Sequence, residues 1–200
     1  MDSLNLVLAS ASPRRRQLLA SLGLACEVAP THIDETPLPG EDPADYARRL
    51  AAEKAVAGAA RHPPGRLLLA ADTVVALGRE ILGKPADEQD AARMLRRLSG
   101  RTHEVHTAVA ARQDDSTAMR LATTEVTFRS LRDSEIEAYV GSGEPLDKAG
   151  AYGIQGVAAI FVTRLSGSYS GVVGLPLCET AELLREFGVE VPGLATGGDA

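Results

Sequence analysis

Strand-like and helical stretches alternate along this 200-residue chain and predict an α/β fold. Three observations carry that prediction. Short apolar runs, Leu4 to Ala9 and Leu67 to Ala71, read as buried strands. Helical stretches open at the capping positions Ser12-Pro13, Asp42-Pro43 and Asp87. Two β-rich runs, His103 to Ala111 and Ala118 to Phe128, flank a polar turn and form a long antiparallel hairpin. The length fits one domain, expected over residues 1–188, with 189–200 as a flexible tail.

The first strand runs into Ser10-Ala11-Ser12-Pro13. Ser12 is a good helix cap, and Pro13 suits the first helical position. The helix continues to about Leu22 with Leu18, Leu19 and Leu22 on one face, and Gly23 ends it. Arg14, Arg15 and Arg16 fill its first turn, where cations oppose the helix dipole. Helix-start N–H groups and arginines together make an anion site that phosphate would satisfy; the alternative is three solvated side chains. Three consecutive residues span most of a turn, so they do not all face one ligand.

Residues 25–29 read as another short strand, and the segment around Asp34-Glu35 as a loop. The helix after Asp42 runs to about Ala60, with Tyr46, Leu50 and Lys54 at four-residue spacing. Lys54 thus continues an apolar stripe, and its amine either snorkels to water or reaches a ligand.

The run Leu67 to Ala71 delivers Asp72 to its end, and a second strand-like run, Thr73 to Leu77, follows. Gly78-Arg79 makes a two-residue turn, Glu80 to Leu82 returns, and the hairpin leaves through Gly83-Lys84-Pro85. An acid at the entrance and a lysine at the exit suit a metal-bound, phosphate-bearing substrate; the alternative is an ordinary hairpin with solvated charges. Gly78 to Lys84 also matches GxxxxGK, but Pro85 stands where a P-loop needs Ser or Thr, and the interior reads as strand. A P-loop is excluded.

Beyond it, a helix spans about Glu88 to Leu98, and Asp133 or Ser134 starts another through Val140. Residues 141–156 hold five glycines with Glu144, Asp147 and Lys148, a loop where backbone can approach a ligand closely. Tyr152 and Gln155 add an aromatic face and a bidentate amide, which reading a base edge requires; the alternative is a glycine-rich turn with a structural tyrosine. Ala158 to Leu165 reads as a strand, 166–174 as a loop, and Leu175 to Phe187 as the last helix.

A net charge of −6 argues against a nucleic-acid polymer as partner, so an anionic ligand must be met by a local basic cluster. Cys26 and Cys178 form no CxxC or Cys/His cluster, which indicates neither structural zinc nor a disulfide framework. His103 and His106, three apart in a strand, point to opposite faces and make no metal pair. No GxSxG is present, and neither cysteine has a base at readable spacing. The N-terminal MDSLNLVLAS lacks a basic region and a long apolar run, and no stretch approaches the ~20 apolar residues of a membrane span. A cytoplasmic protein with no membrane partner is expected.

Four blocks of this sequence resemble the Maf (septum formation) family of nucleoside triphosphate pyrophosphatases. They are LASASPRRRQLL (8–19), AADTVVALGREILGKP (70–85), LSGRTHEVHTAV (98–109), and AGAYGIQG with GSYSGVVGLPL (149–156, 167–177). They run in order over nearly the whole chain. The resemblance implies a fold like that of inosine triphosphate pyrophosphatases: an elongated mixed β-sheet flanked by helices, in two lobes with a central cleft. It implies hydrolysis of a nucleoside triphosphate to monophosphate and pyrophosphate, with a divalent cation, Mg²⁺ or Mn²⁺, in a homodimer.

By position, the resemblance makes Asp72 the catalytic acid and proton acceptor. Arg14, Thr73 and Gln155 match positions linked to substrate choice. Lys54, Lys84 and Glu35 match charged residues of the cleft. Ser10, Arg14, Lys54, Thr73, Lys84 and Gln155 are thus the expected substrate-binding set, and Glu35 and Asp72 the expected metal ligands. Ala-Asp-Thr at 71–73, with a glutamine in the YGIQG block, resembles the subgroup acting on dTTP and UTP. The alternatives are the 7-methyl-GTP-type subgroup and a non-catalytic nucleotide-binding regulator of septum formation. The expected chemistry is metal-assisted attack of water on the α-phosphorus, with pyrophosphate leaving.

Overall fold

In the computed structural model, which describes residues 5–192, these signals become seven strands and six α-helices. In chain order they are β1 (Leu6–Leu8), α1 (Pro13–Ser21), β2 (Glu27–Val28), α2 (Pro43–Ala59), β3 (Leu67–Leu77), β4 (Glu80–Leu82) and α3 (Glu88–Leu98). There follow β5 (Thr102–Gln113), β6 (Ser116–Phe128), α4 (Asp133–Gly141), β7 (Val162–Ser166), α5 (Tyr169–Val173) and α6 (Leu177–Glu186). The strands form one mixed sheet in the order β2-β1-β3-β5-β6-β7, with β4 also paired to β3. This is an α/β fold, as the alternating pattern predicts.

The strand β3 is the spine. Where the sequence suggests two runs meeting at Asp72, there is one continuous strand of 11 residues with Asp72 in its interior. The correction follows from pairing: β5 runs antiparallel beside it from Leu68↔Arg112 to Ala76↔Glu104, without a break at Asp72. On its other edge β3 has two partial neighbours. The parallel strand β1 covers Leu67 to Leu69, and β4 returns antiparallel over Val75 to Leu77. Among the described residues, no strand therefore lies beside residues 70–74 on that edge. The gap separates two lobes.

One lobe is a sandwich. Even-numbered Ala70 and Val74 face α2, while Leu67, Leu69 and Ala71 face α1 and α6, as the alternation of a strand requires. The α2 side is built from small residues: Ala47, Ala51 and Ala55 pack on Ala9, Ala70, Ala108 and Ala110. A Cβ on Gly58 would lie 3.2 Å from Leu68 Cδ1 and 3.3 Å from Ala9 Cβ, so the helix rides close to the sheet. The other lobe gathers α3, α4 and the segment 149–161 around Val75, Val105, Val126 and Phe128.

Two segments near the C-terminus differ from expectation. Val157–Phe161 is a 3₁₀ helix, and the strand starts only at Val162. Phe161 is 1% exposed and sits edge-on to Phe128 and Tyr139, so burying that ring wins over an extended backbone. Within the expected loop 166–174, the Ser168 hydroxyl accepts from the Gly171 N–H at 3.0 Å and starts the short helix α5. Of the expected tail, Val189 packs on the α6 side of the core and Val191 is buried, while residues 193–200 lie outside the described residues. No described helix is long and apolar enough to cross a membrane.

His103 and His106 lie on opposite faces of β5. His106 Nδ1 meets Thr123 Oγ1 at 3.0 Å, whereas His103 Nε2 meets the Tyr152 hydroxyl at 2.8 Å inside the second lobe. Burial pushes the His103 imidazole down to about 4. Its folded pKa is depressed, so the unfolded chain binds the extra proton first as pH falls, and stability rises with pH across that window. Acidification from pH 6.5 to 4 is expected to cost about 1.4 kcal/mol per pH unit through this group. Urea unfolding at several pH values, with His103→Gln as control, measures it. An equal slope in both proteins would remove His103 as the cause.

Candidate active site

The unpaired stretch of β3 is where groups from both faces of the sheet meet. Asp72 points toward α2 and Thr73 toward α1 and α5, yet both line one cleft of about 940 Å³. Ser10, Arg14, Glu35, Lys54, Lys84 and Gln155 line it as well, so all the expected site residues share one cavity. The gap between β1 and β4 makes this possible.

On the α2 side, Lys54 is buried. Its Nζ lies 2.6 Å from Asp72 Oδ1 and 2.6 Å from Glu35 Oε1. The Lys54 and Asp72 side chains are 10% and 11% exposed, that of Glu35 51%. The alanine-lined seat of α2 explains the geometry, because a close helix lets the lysine stem lie along apolar surface and its amine reach the strand. Burial pushes the Glu35 carboxyl up, but the bonded Lys54 ammonium, with Lys84 and Arg15 behind it, holds it below the usual carboxylate range.

The Glu35 loop is tied to the same helix. The Tyr46 hydroxyl donates to the Glu35 carbonyl at 2.5 Å, and Arg49 Nη2 donates to the Thr36 carbonyl at 3.1 Å. Burial, with Asp72 and Glu35 nearby, pushes the Tyr46 phenol up to about 12, which keeps it a neutral donor. The stripe of Tyr46, Leu50 and Lys54 thus faces the cleft along its length.

On the opposite face, Ser10 and Ser12 shape the entry to α1. The Ser12 N–H donates to Ser10 Oγ at 3.2 Å, and Ser12 Oγ accepts from the Arg15 N–H at 3.4 Å. This aims the Arg15 guanidinium inward. Its Nε donates to the Gly174 carbonyl at 2.8 Å, Nη1 to Ser10 Oγ at 3.2 Å and Nη2 to Thr73 Oγ1 at 3.2 Å. Burial lowers its pKa, and the Asp72 and Glu35 charges work against that lowering.

Arg14 also lines the cleft, but it reaches the other way, to Asp147 Oδ2 at 3.9 Å. Arg16 is exposed and does not line it. The three arginines therefore split. Arg15 is the residue that position-by-position matching leaves out, yet the sequence held a signal for it. Arg15 stands three, four and seven residues before Leu18, Leu19 and Leu22, so it continues their apolar face just as Lys54 continues that of α2.

The second lobe supplies Lys84 and Gln155, both exposed at the cleft. The Gly83 carbonyl, next to Lys84, accepts from the Gly150 N–H at 3.0 Å. Gly150 has φ +67°, and a Cβ there would lie 2.8 Å from Val75 Cγ1, so this anchor requires glycine. Tyr152 is not an open stacking face. It is 6% exposed, bonded to His103, and edge-on to Phe128 at 4.9 Å. Glu144 and Lys148 serve the loop itself: Glu144 Oε1 accepts from the Tyr139 hydroxyl at 3.0 Å, and Lys148 Nζ donates to the Glu144 carbonyl at 2.6 Å.

Among the described residues no group of three or more His, Cys, Asp and Glu gathers as a metal centre. Lys54 bonds one oxygen each of Asp72 and Glu35, and Asp72 Oδ2 and Glu35 Oε2 take no hydrogen bond from described residues. Two hard oxygen donors in a cleft rich in cations fit Mg²⁺ or Mn²⁺ in the mode where substrate phosphates and water complete the shell.

Residues 5–187 match the family model described as Maf-like protein. The chain is similar to a dTTP/UTP pyrophosphatase of Anaeromyxobacter dehalogenans, 58% identical over 191 residues, which covers 94% of this chain and 96% of the relative. It is 56% identical over 190 residues to a dTTP/UTP pyrophosphatase of Geobacter sulfurreducens, covering 94% and 99%. Against a dTTP/UTP pyrophosphatase of Shewanella sp. it is 56% identical over 196 residues, covering 93% and 100%.

Proposed function

The chain belongs to the Maf family, and from this we propose that it hydrolyses dTTP and UTP to the nucleoside monophosphate and pyrophosphate. The observation that carries the chemistry is the acid–lysine–acid cluster of Asp72, Lys54 and Glu35, set within reach of the Arg15 cation at the open edge of β3.

In this reading Asp72 is the proton acceptor for the water that attacks the α-phosphorus. A free aspartate has a pKa of about 3.9 and is a weak base at neutral pH, so its work is to orient the water and take its proton as the new P–O bond forms. Glu35 and Asp72 would hold a divalent cation, which supplies Lewis acidity toward phosphate oxygen and water. Lys54 lies between the two carboxylates and offers its charge to the reacting phosphate. Arg15, Ser10 and the cationic ends of Arg14 and Lys84 hold the polyphosphate. Gln155 reads the base: its amide offers an acceptor and two donors, against the acceptor–donor–acceptor edge of uracil or thymine. Tyr152, being core, contributes no stacking face. A homodimer, which rests on the family resemblance, and a cytoplasmic location, the expectation read from the sequence, belong to the same proposal.

Product identification from dTTP, UTP, CTP, GTP and 7-methyl-GTP under one metal condition tests the proposal. Pyrophosphate and monophosphate are expected, with dTTP and UTP giving the highest kcat/KM. Nucleoside diphosphate with phosphate would sink the cleavage site, and a preference for 7-methyl-GTP would overturn the base assignment. Alongside, Gln155→Ala is expected to flatten the ranking of bases; an unaltered ranking would take Gln155 out of that role.

A further inference from the structure

Glu35 sits on a stretch, residues 31–38, that has neither helix nor strand. Its contact with Lys54 does not by itself hold that stretch in place. An ion pair to a half-exposed acid contributes little, and fixing several loop residues costs more. The loop is fastened from behind by Arg49 of α2, which does not line the cleft. Arg49 Nε donates to Glu41 Oε1 at 2.7 Å and Nη2 to Glu41 Oε2 at 2.9 Å, a bidentate pair. Nη2 also donates to the Thr36 carbonyl at 3.1 Å, and Glu41 Oε2 accepts from the Leu38 N–H at 2.9 Å.

One guanidinium thus spans the loop from Thr36, next to Glu35, to Glu41. It also lies 5.4 Å from the ring centre of Tyr46, the residue whose hydroxyl holds the Glu35 carbonyl. The Arg49 and Glu41 side chains are only 22% and 9% exposed, so the pair is largely shielded from water and salt. We propose that Arg49, paired with Glu41, is a positioning residue for the divalent cation: it holds the loop where the Glu35 carboxylate can share an ion with Asp72. This rests on the reading of Glu35 and Asp72 as the metal ligands. Arg49 acts through the place of Glu35 and touches neither the ion nor the nucleotide.

The test titrates Mn²⁺ into the protein with α,β-imido-UTP, an analogue that is not cleaved, and follows free Mn²⁺ by electron paramagnetic resonance, so no turnover is needed. Each variant is also melted. Arg49→Met and Glu41→Gln are each expected to raise the Mn²⁺ dissociation constant at least ~10-fold, the lower end for a group that orients a metal ligand. Glu53→Gln removes only the 3.4 Å contacts to Arg49 Nη1 and keeps the parental constant. In a Glu35→Gln background, Arg49→Met is expected to add less than ~2-fold, because residues that act through one another are not additive. Should Arg49→Met melt below the assay temperature, Glu41→Gln carries the same comparisons. Parental Mn²⁺ binding in the folded variants would overturn the positioning role. So would a loss that persists in full in the Glu35→Gln background, or an equal loss in Glu53→Gln. A parent protein that binds Mn²⁺ no better than Glu35→Gln would instead overturn the ligand reading on which the inference rests.

Discussion

Asp72→Asn lowers kcat at least ~10²-fold, the usual scale for a positioned acid–base group. The substitution keeps the side chain's shape, and its amide oxygen can still accept the 2.6 Å bond from Lys54. Lys54 also keeps Glu35 as a counter-charge, so the fold has no unpaired buried ammonium to accommodate. What disappears is the negative charge and the capacity to take a proton. The loss is therefore expected in kcat with little change in melting temperature. Measurement at saturating metal separates a missing base from weakened metal binding. A near-normal rate there would show that Asp72 is not the proton acceptor.

Lys54→Met is expected to damage stability and turnover together. Lys54 and Asp72 are both almost fully buried, and removing one member of a buried pair leaves the other charge without its partner. Unfolding free energy should fall by about 3 kcal/mol, at the low end for a broken buried pair because Asp72 keeps a little solvent contact. The contact with half-exposed Glu35 adds little to that figure. Without Lys54, two carboxylates face each other with no cation between them. The residual rate should be small. Combining Lys54→Met with Asp72→Asn should recover part of the lost stability, since no unpaired charge remains at Asp72. Unfolding of the single variant within ~0.5 kcal/mol of the parent would sink the idea that this pair is a structural element of the cleft.

Element order and the family are legible in the chain because their signals are local. Ser12, Asp42 and Asp87 each bond an N–H two or three residues on, and so mark helix starts. The Gly78-Arg79 and Asp114-Asp115 turns set the registers of their hairpins, Leu77↔Glu80 and Gln113↔Ser116. Four-residue spacing was enough to put Lys54 on a buried face. Which partner each polar group meets was decided elsewhere. Arg15 bonds Thr73 across 58 positions and Gly174 across 159, and no window of sequence contains either contact. Tyr152 reads equally well as a stacking face or a core ring until His103 and Phe128 close around it. Asp72 reads as a strand end because an acid interrupts an apolar run, yet it is mid-strand. An interior carboxylate is tolerated there because a buried lysine from α2 pairs with it on the sheet face, and it lies in the gap left where β1 and β4 cover different parts of one edge of β3. That gap is a product of long-range strand pairing, whereas capping, turns and periodicity are set within a few residues, which is why the one is invisible in the sequence and the others are not.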